Sequence, residues 1–243
     1  MARTFVIGDI HGALRALDQL IQKIKPKAED KLIFLGDYVD GWSQSAQVIS
    51  RLMELDKQYN CIFMKGNHDE WCESWLMGKP ADPVWLFHGG RSTVASYEGI
   101  GAVEKEAHIL FYNRLRPFYI DEKNRLFIHA GFASMHGPEH ERYETSFLWD
   151  RTLWETARSM NKRLSKHSLL YPRRLQLFHE IYIGHTPTIN YNQFTPMKAA
   201  NLWNVDTGAA FYGKLSALDI DSKKVIQSDP PQQLYPGEKG RNP

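Results

Sequence analysis

The sequence predicts an α/β fold: βαβ units giving a largely parallel sheet, followed by a second sheet of short strands packed against the first. Three observations carry this expectation. Between residues 3 and 77, short apolar runs alternate with stretches whose apolar residues recur at helical spacing. Each of these apolar runs stops at Gly-Asp or Gly-Asn. Beyond Pro117 the texture changes to a series of short strand-like runs, with one helical stretch among them.

Taken in order, residues 3–8 read as a buried strand. Residues 13–25 follow as a helix with Leu14, Leu17, Leu20, Ile21 and Ile24 on one face, ended by Pro26. Residues 31–36 form a second strand, and 45–58 a second helix whose core face is Val48, Ile49, Leu52 and Leu55. A third strand at 61–66 leads into a helix over 69–77. Between residues 78 and 125 glycines mark turns, and 104–115 reads as a helix that stops before Pro117. Short strands are expected at 118–121, 126–130, 180–184, 202–205 and 214–220, with a helix over about 151–164. Residues 1–227 are therefore expected to form a single domain. Residues 228–243 hold four prolines and two glycines, which predicts a flexible C-terminal tail.

Composition narrows the function. The 243 residues are enough for a sizeable core. Thirty Lys and Arg against 28 Asp and Glu leave a formal charge of +2, which excludes a polybasic nucleic-acid binder and an acidic tail. Cys61 and Cys72 are too few for a disulfide framework and lack zinc-clip spacing. The amino-terminal apolar run is too short for a signal peptide, and none approaches the roughly 18–20 residues of a membrane span. A cytoplasmic protein with no nucleic-acid partner and no membrane attachment is expected. Its ten histidines need another explanation.

The chemistry lies where strands end. Gly8-Asp9-Ile10-His11-Gly12, Gly36-Asp37-Tyr38-Val39-Asp40-Gly41 and Gly66-Asn67-His68-Asp69-Glu70 follow the first three strands. In a parallel sheet these ends share one edge, where ligands gather. His129-Ala130-Gly131 and Gly184-His185-Thr186 end two later strands in the same way. Any one of these is an ordinary turn or loop residue; five in order point to a site. Carboxylate, imidazole and amide ligands without cysteine favour manganese, iron or zinc, with manganese the first choice. Asp9, His11, Asp37, Asn67, His129 and His185 are too many ligands for one ion with open positions, so two divalent ions are expected, with Asp37 the natural bridge. Two divalent ions against the carboxylates of Asp9 and Asp37 leave a positive site, suited to a phosphate.

The series Gly-Asp-x-His-Gly, Gly-Asp-x-Val-Asp, Gly-Asn-His-Asp/Glu, His-Ala-Gly and Gly-His-Thr resembles the phosphoprotein phosphatase family of the calcineurin-like metallophosphoesterases, nearest in texture to the compact bacterial and phage serine/threonine phosphatases. The resemblance runs from Phe5 to about Ile220 and takes in Leu202-Trp203-Asn204-Val205-Asp206-Thr207-Gly208. It implies an αββα sandwich of two mixed sheets flanked by helices, with the active site at the C-terminal ends of strands. It also implies that Asp9, His11 and Asp37 hold one ion and that Asp37, Asn67, His129 and His185 hold the other. The nucleophile would be a hydroxide bridging the metals. His68 would be the general acid and Asp40 its orienting partner. Arg151, in Leu148-Trp149-Asp150-Arg151, matches a phosphate-binding arginine of the family.

One departure stands out. The family has an arginine directly after the second aspartate of its second motif, where this chain has Gly41 followed by Trp42. Arg91, after His88-Gly89-Gly90, is the candidate replacement, its alternative being an ordinary surface arginine. Residues 158–174 carry six Lys and Arg and no acidic residue, either a basic flap for an acidic substrate or a solvated face. Trp71, Trp75 and Trp85 could line a cleft or belong to the core. The leading expectation is a metal-dependent serine/threonine protein phosphatase acting on phosphorylated proteins or small phosphate esters. The alternative is a nucleotide-directed hydrolase such as a symmetrical diadenosine tetraphosphatase, and a non-catalytic phosphoprotein-binding module is a third.

Overall fold

A computed structural model of the chain describes residues 2–242; Met1 and Pro243, the outer ends of the expected domain and tail, lie outside them. Thr4–Ile7 (β1), Lys31–Phe34 (β2) and Asn60–Phe63 (β3) run parallel, as the alternating pattern requires. Leu14–Ile24 (α1) and Ser45–Gln58 (α2) cross between them, and Asn67–Leu76 (α3) follows β3. Phe118–Ile120 (β4), Arg125–Ile128 (β5), Glu180–Ile183 (β6), Met197–Ala199 (β7) and Leu202–Asn204 (β8) make the second sheet, in the order β4-β5-β6-β8-β7. Ser216–Asp219 (β9) and Val225–Gln227 (β10) then return to the first sheet, giving the order β10-β9-β1-β2-β3. In the first sheet the parallel strands β1, β2 and β3 occupy one side, with β3 at the edge and antiparallel pairings through β9 and β10 on the other. In the second, β5, β6 and β8 are parallel at the centre between antiparallel β4 and β7, so both are mixed.

The central strands are buried on both faces, and the period of two sorts their side chains between two cores. In β1, Phe5 and Ile7 face the helices while Val6 faces the other sheet; Leu32 and Phe34 flank Ile33 in the same way in β2. The second sheet mirrors this, with Leu126 and Ile128 turned to its own helices and Phe127 turned inward. Between the sheets Phe127 stacks on Tyr182 with centroids 5.0 Å apart. The result is helices, sheet, sheet, helices, the αββα arrangement. No helix is long and apolar enough to cross a membrane among the described residues.

Three departures from the sequence reading have physical causes. The helix expected over 151–164 stops at Ser159, because the Asn161 side chain accepts the Arg163 N–H at 2.9 Å and sets a turn that competes with the helix. β7 and β10 are three-residue edge strands, too short to show an alternating pattern. Within the basic run only Arg174 departs from a solvated face; Arg158, Lys162, Arg163, Lys166 and Arg173 are exposed. Arg174 is buried and donates to the Phe132 carbonyl at 2.6 Å, and Arg158 lies 3.6 Å over the Tyr191 ring.

The fourth departure bears on function. Composition predicts a flexible tail over 228–243, yet residues 228–242 pack onto the first sheet's helical layer. Tyr235 is buried, stacks on Trp42 at 5.4 Å and accepts the Arg15 N–H at 2.9 Å. Glu238 accepts both the Ser43 N–H, at 3.0 Å, and its hydroxyl, at 2.7 Å. Composition averaged over the segment hides one anchoring aromatic and one hooking carboxylate. Tyr235→Ala should remove that anchor, at a cost of about 3 kcal/mol if the loss is global. Limited proteolysis is expected to leave the segment intact in the native protein and to release it first in the variant.

Candidate active site

Parallel strands that stop together leave their following residues on one edge, and the chain bends sharply there. His11, Asp37, Asp40 and His185 all have positive φ, of 53°, 52°, 75° and 66°. A left-handed non-glycine residue costs roughly 1–2 kcal/mol, so the bends are held by what surrounds them. Asp69, in the first turn of α3, supplies much of that hold. Its carboxylate accepts N–H groups from Asp37, Tyr38 and Gly66 at 2.8 to 2.9 Å, locking the turn after β2 to the turn after β3. Gly184 is required by close approach, since a Cβ there would collide with the Asp9 carboxylate.

These bends bring all six expected ligands together in buried positions. Donor atoms of His11, Asp37 and His68 converge within 4.8 Å of one another, and so do those of Asp37, His129 and His185. Asp37 belongs to both groups, with Oδ2 3.6 Å from His11 Nε2 and Oδ1 3.5 Å from His129 Nε2. Asn67 Oδ1 lies 3.1 Å from His129 Nε2 and 3.0 Å from His185 Nδ1. Asp9 Oδ2 accepts the His185 N–H at 2.9 Å. The rings are oriented from behind: Nδ1 of His11 faces the Val39 and Asp40 carbonyls, and Nδ1 of His129 faces the Leu35 carbonyl. Carbonyls only accept, so Nδ1 carries the proton and Nε2 presents its lone pair to the site.

Electrostatics identify what the site lacks. Burial pushes the Asp37 carboxyl up to about 7. Asp206 is also raised to about 7 by burial, and Asp9 is raised by burial and by the charges of Asp206 and Asp37. Burial lowers His11, His129 and His185, favouring their neutral, metal-binding form. Asp9 Oδ1 and His185 Nε2 are buried with no hydrogen-bond partner among the described residues. Crowded carboxylates, neutral imidazoles and two orphaned donor atoms together fit a pair of divalent cations.

Beside these groups His68 Nδ1 sits 2.5 Å from Asp40 Oδ2. Asp40 is fully buried, and Trp85 Nε1–H and Thr93 Oγ1–H donate to its two oxygens at 2.7 and 2.5 Å. Burial raises the Asp40 carboxyl to about 7 against these hydrogen bonds. Of the three tryptophans singled out above, Trp85 is thus core, Trp75 packs on it, and only Trp71 reaches the cleft. The cleft has a volume of about 410 Å³ and is walled by Trp71, Trp149 and Phe211.

Arg151 lines this cleft, as the motif match implied. Arg91 does not. It is exposed at the start of the helix Arg91–Ser96, where Gly89, with φ of +111°, turns the chain outward. Among the charged residues of the cleft, sequence reasoning assigns no role to Asp206 and Arg241. Asp206 follows β8 just as Asp9 follows β1, so the strand-end pattern could have found it. Nothing in the sequence marks Arg241.

Comparison with known proteins agrees with this geometry. Residues 2–212 match the calcineurin-like phosphoesterase family. The chain is 30% identical to a protein of Bacillus thuringiensis named bis(5'-nucleosyl)-tetraphosphatase PrpE [asymmetrical], over 91% of this chain and 92% of that one. It is 26% identical to the protein of the same name from Oceanobacillus iheyensis, over 91% and 90%. Among solved structures, a protein serine/threonine phosphatase from Saccharomyces cerevisiae superposes with a TM-score of 0.65 at 15% identity, covering 99% of this chain and 83% of that one.

The carboxyl groups at about 7 set a pH dependence. Their folded values lie above the ordinary 3.8, so without metal the folded state holds extra protons between about 4 and 7 and loses stability as pH rises through that window. A divalent ion competes with those protons. The rise in melting temperature on adding manganese to chelator-treated protein should therefore be small at pH 5 and grow towards pH 8. A rise that does not vary with pH would exclude these carboxylates as the ion's partners.

Proposed function

The chain belongs to the calcineurin-like phosphoesterases, and on that premise we propose that it hydrolyses dinucleoside tetraphosphates. In this reading Asp9, His11 and Asp37 hold one divalent ion, and Asp37, Asn67, His129 and His185 hold a second. Such a pair supplies Lewis-acid stabilisation of phosphoryl oxygens and an activated water. Manganese is the first choice of metal on ligand chemistry.

The chain's own residues supply the rest. His68 is the general acid: Asp40 holds Nδ1 and leaves Nε2 to deliver a proton to the leaving oxygen. Burial raises the Asp40 carboxyl to about 7 and lowers the His68 imidazole, so near neutral pH the proton of the pair sits nearer Asp40, which can return it to the ring through Nδ1 as Nε2 gives one up. Arg151, at the mouth of the cleft, contacts phosphate oxygens. Buried Trp85 and Thr93 fix Asp40 and so fix the ring of His68.

The observation that carries the substrate class is the aromatic wall. Trp71 and Trp149 pack edge to face at 5.0 Å, Trp149 is 38% exposed, and Phe211 lies in the same cleft. Exposed rings beside a phosphate site suit stacking on a nucleobase, which a phosphoserine side chain does not need. Supporting it, the relatives near 30% identity are named for bis(5'-nucleosyl) tetraphosphates, whereas the yeast protein phosphatase is similar in fold alone. The expectation of a serine/threonine protein phosphatase accordingly gives way to its nucleotide-directed alternative.

Kinetics, product analysis and metal content test this reading. With manganese, kcat/KM for diadenosine tetraphosphate should exceed that for a phosphoserine peptide at least about tenfold, and Trp149→Ala should raise KM for the dinucleotide about tenfold while sparing p-nitrophenyl phosphate. The reverse preference would reinstate the protein phosphatase. Product chromatography separates asymmetrical cleavage, to ATP and AMP, from symmetrical cleavage to ADP alone. His68→Asn should lower kcat by about 10²–10⁴-fold with metal content unchanged. Because His68 lies among the donors near His11 and Asp37, loss of metal in that variant would make it a ligand instead.

A further inference from the structure

We propose that Arg241, carried by the segment 228–242, is a phosphate-binding residue of this site and occupies the space left open at Gly41. The inference rests on the phosphoester-hydrolase reading of the cleft, and not on the choice of a dinucleotide as substrate.

The place is specific. Arg241 lines the cleft with His11, Asp37, His68 and Asp206. Its stem runs between two glycines that leave room for it. A Cβ on Gly41 would come within 3.2 Å of Arg241 Cγ and 3.7 Å of Cδ, and one on Gly89 within 3.3 Å of Cγ. Gly41 has φ of +118°, a conformation that strains any residue with a side chain. The backbone after Asp40 is therefore built to admit a side chain from elsewhere and unsuited to bearing its own.

The same short loop that lacks an arginine docks the segment that delivers one. Trp42 stacks on Tyr235, Ser43 donates twice to Glu238, and Gln44 accepts the Tyr235 hydroxyl at 2.7 Å. Gly240 lies flat on Trp42, where a Cβ would come within 2.6 Å of the ring. The Arg241 N–H then donates to the Ala210 carbonyl at 2.8 Å, which fixes the backbone directly before the side chain enters the cleft.

The guanidinium is placed but not consumed. It lies 5.3 Å from the Phe211 ring, and among the described residues its side chain makes no ion pair and no hydrogen bond. Its charge nonetheless acts on Asp37, Asp40, Asp206 and Asp9, the carboxylates that oppose its loss of charge on burial. A planar fork of N–H donors left unused beside buried cation ligands is suited to clasping two oxygens of one phosphate. Arg151 would then hold the substrate from the other wall.

Calorimetric titration of the manganese-loaded full chain with inorganic phosphate tests this directly. Arg241→Ala should weaken phosphate binding about tenfold or more, leave manganese content unchanged, and recover part of the affinity when free guanidinium is added. Unchanged phosphate affinity overturns the proposal, and so does weakening that comes only with loss of manganese. If Arg241→Ala does not fold, Arg241→Lys keeps the stem between the two glycines. It should bind phosphate more weakly than the native chain, and equal affinity overturns the proposal. A native chain that binds phosphate through Arg241 yet leaves diadenosine tetraphosphate intact would refute the substrate reading alone.

Discussion

Asp37 is the point on which the rest of the structure depends. One carboxylate has to face two groups of histidines at once, and it can do so only if the chain turns back at a left-handed residue in the turn that follows β2. Asp69 makes that turn possible by accepting three backbone N–H groups, and it can reach them because β2 and β3 are adjacent and parallel. Sheet register, helix start and ligand geometry are thereby one arrangement. A shift of β3 by a single residue would move Asn67, His68 and Asp69 together and undo the site.

The price of this convergence is negative charge gathered where water is scarce. Asp9, Asp37, Asp40, Asp69 and Asp206 are all buried, and burial raises every one of them. Such a pocket opposes folding of the metal-free chain and rewards cation binding. Stability and cation affinity are thus two sides of one free energy. The three cores around and between the sheets are what allow the chain to tolerate that opposition, since each central strand buries both faces.

Much of this was legible in the sequence, for identifiable reasons. Strands bounded by Gly-Asp or Gly-Asn announce both the element and the residue that reaches the cleft, which is why β1, β2 and β3 and the candidate ligands that follow them are legible together. His129 and His185 followed by the same logic, and Asp206 should have. What stayed hidden depends on long-range packing. Arg91 and Arg241 are both arginines near glycines, and only the folded chain shows that Gly89 turns one outward while Trp42 and Tyr235 draw the other in. The segment after residue 228 was misread because prolines and glycines signal disorder only when no anchor is buried, and Tyr235 is one.

The pairing of β1 with β9 has a consequence for how the molecule comes into being. Val6 lies opposite Leu218, so the sheet that carries Asp9 and Asp37 closes only when distant parts of the chain meet. Folds dominated by such non-local pairings form slowly, because loop entropy is lost before the contacts that repay it exist. During synthesis the motifs holding Asp9, Asp37 and Asn67 emerge long before β5, β6 and β9. A half-assembled chain therefore displays carboxylates and imidazoles without the enclosure that shapes them. The buried donor groups around Asp37 thus belong to the finished sandwich, since His129 and His185 join them only after the second sheet has formed.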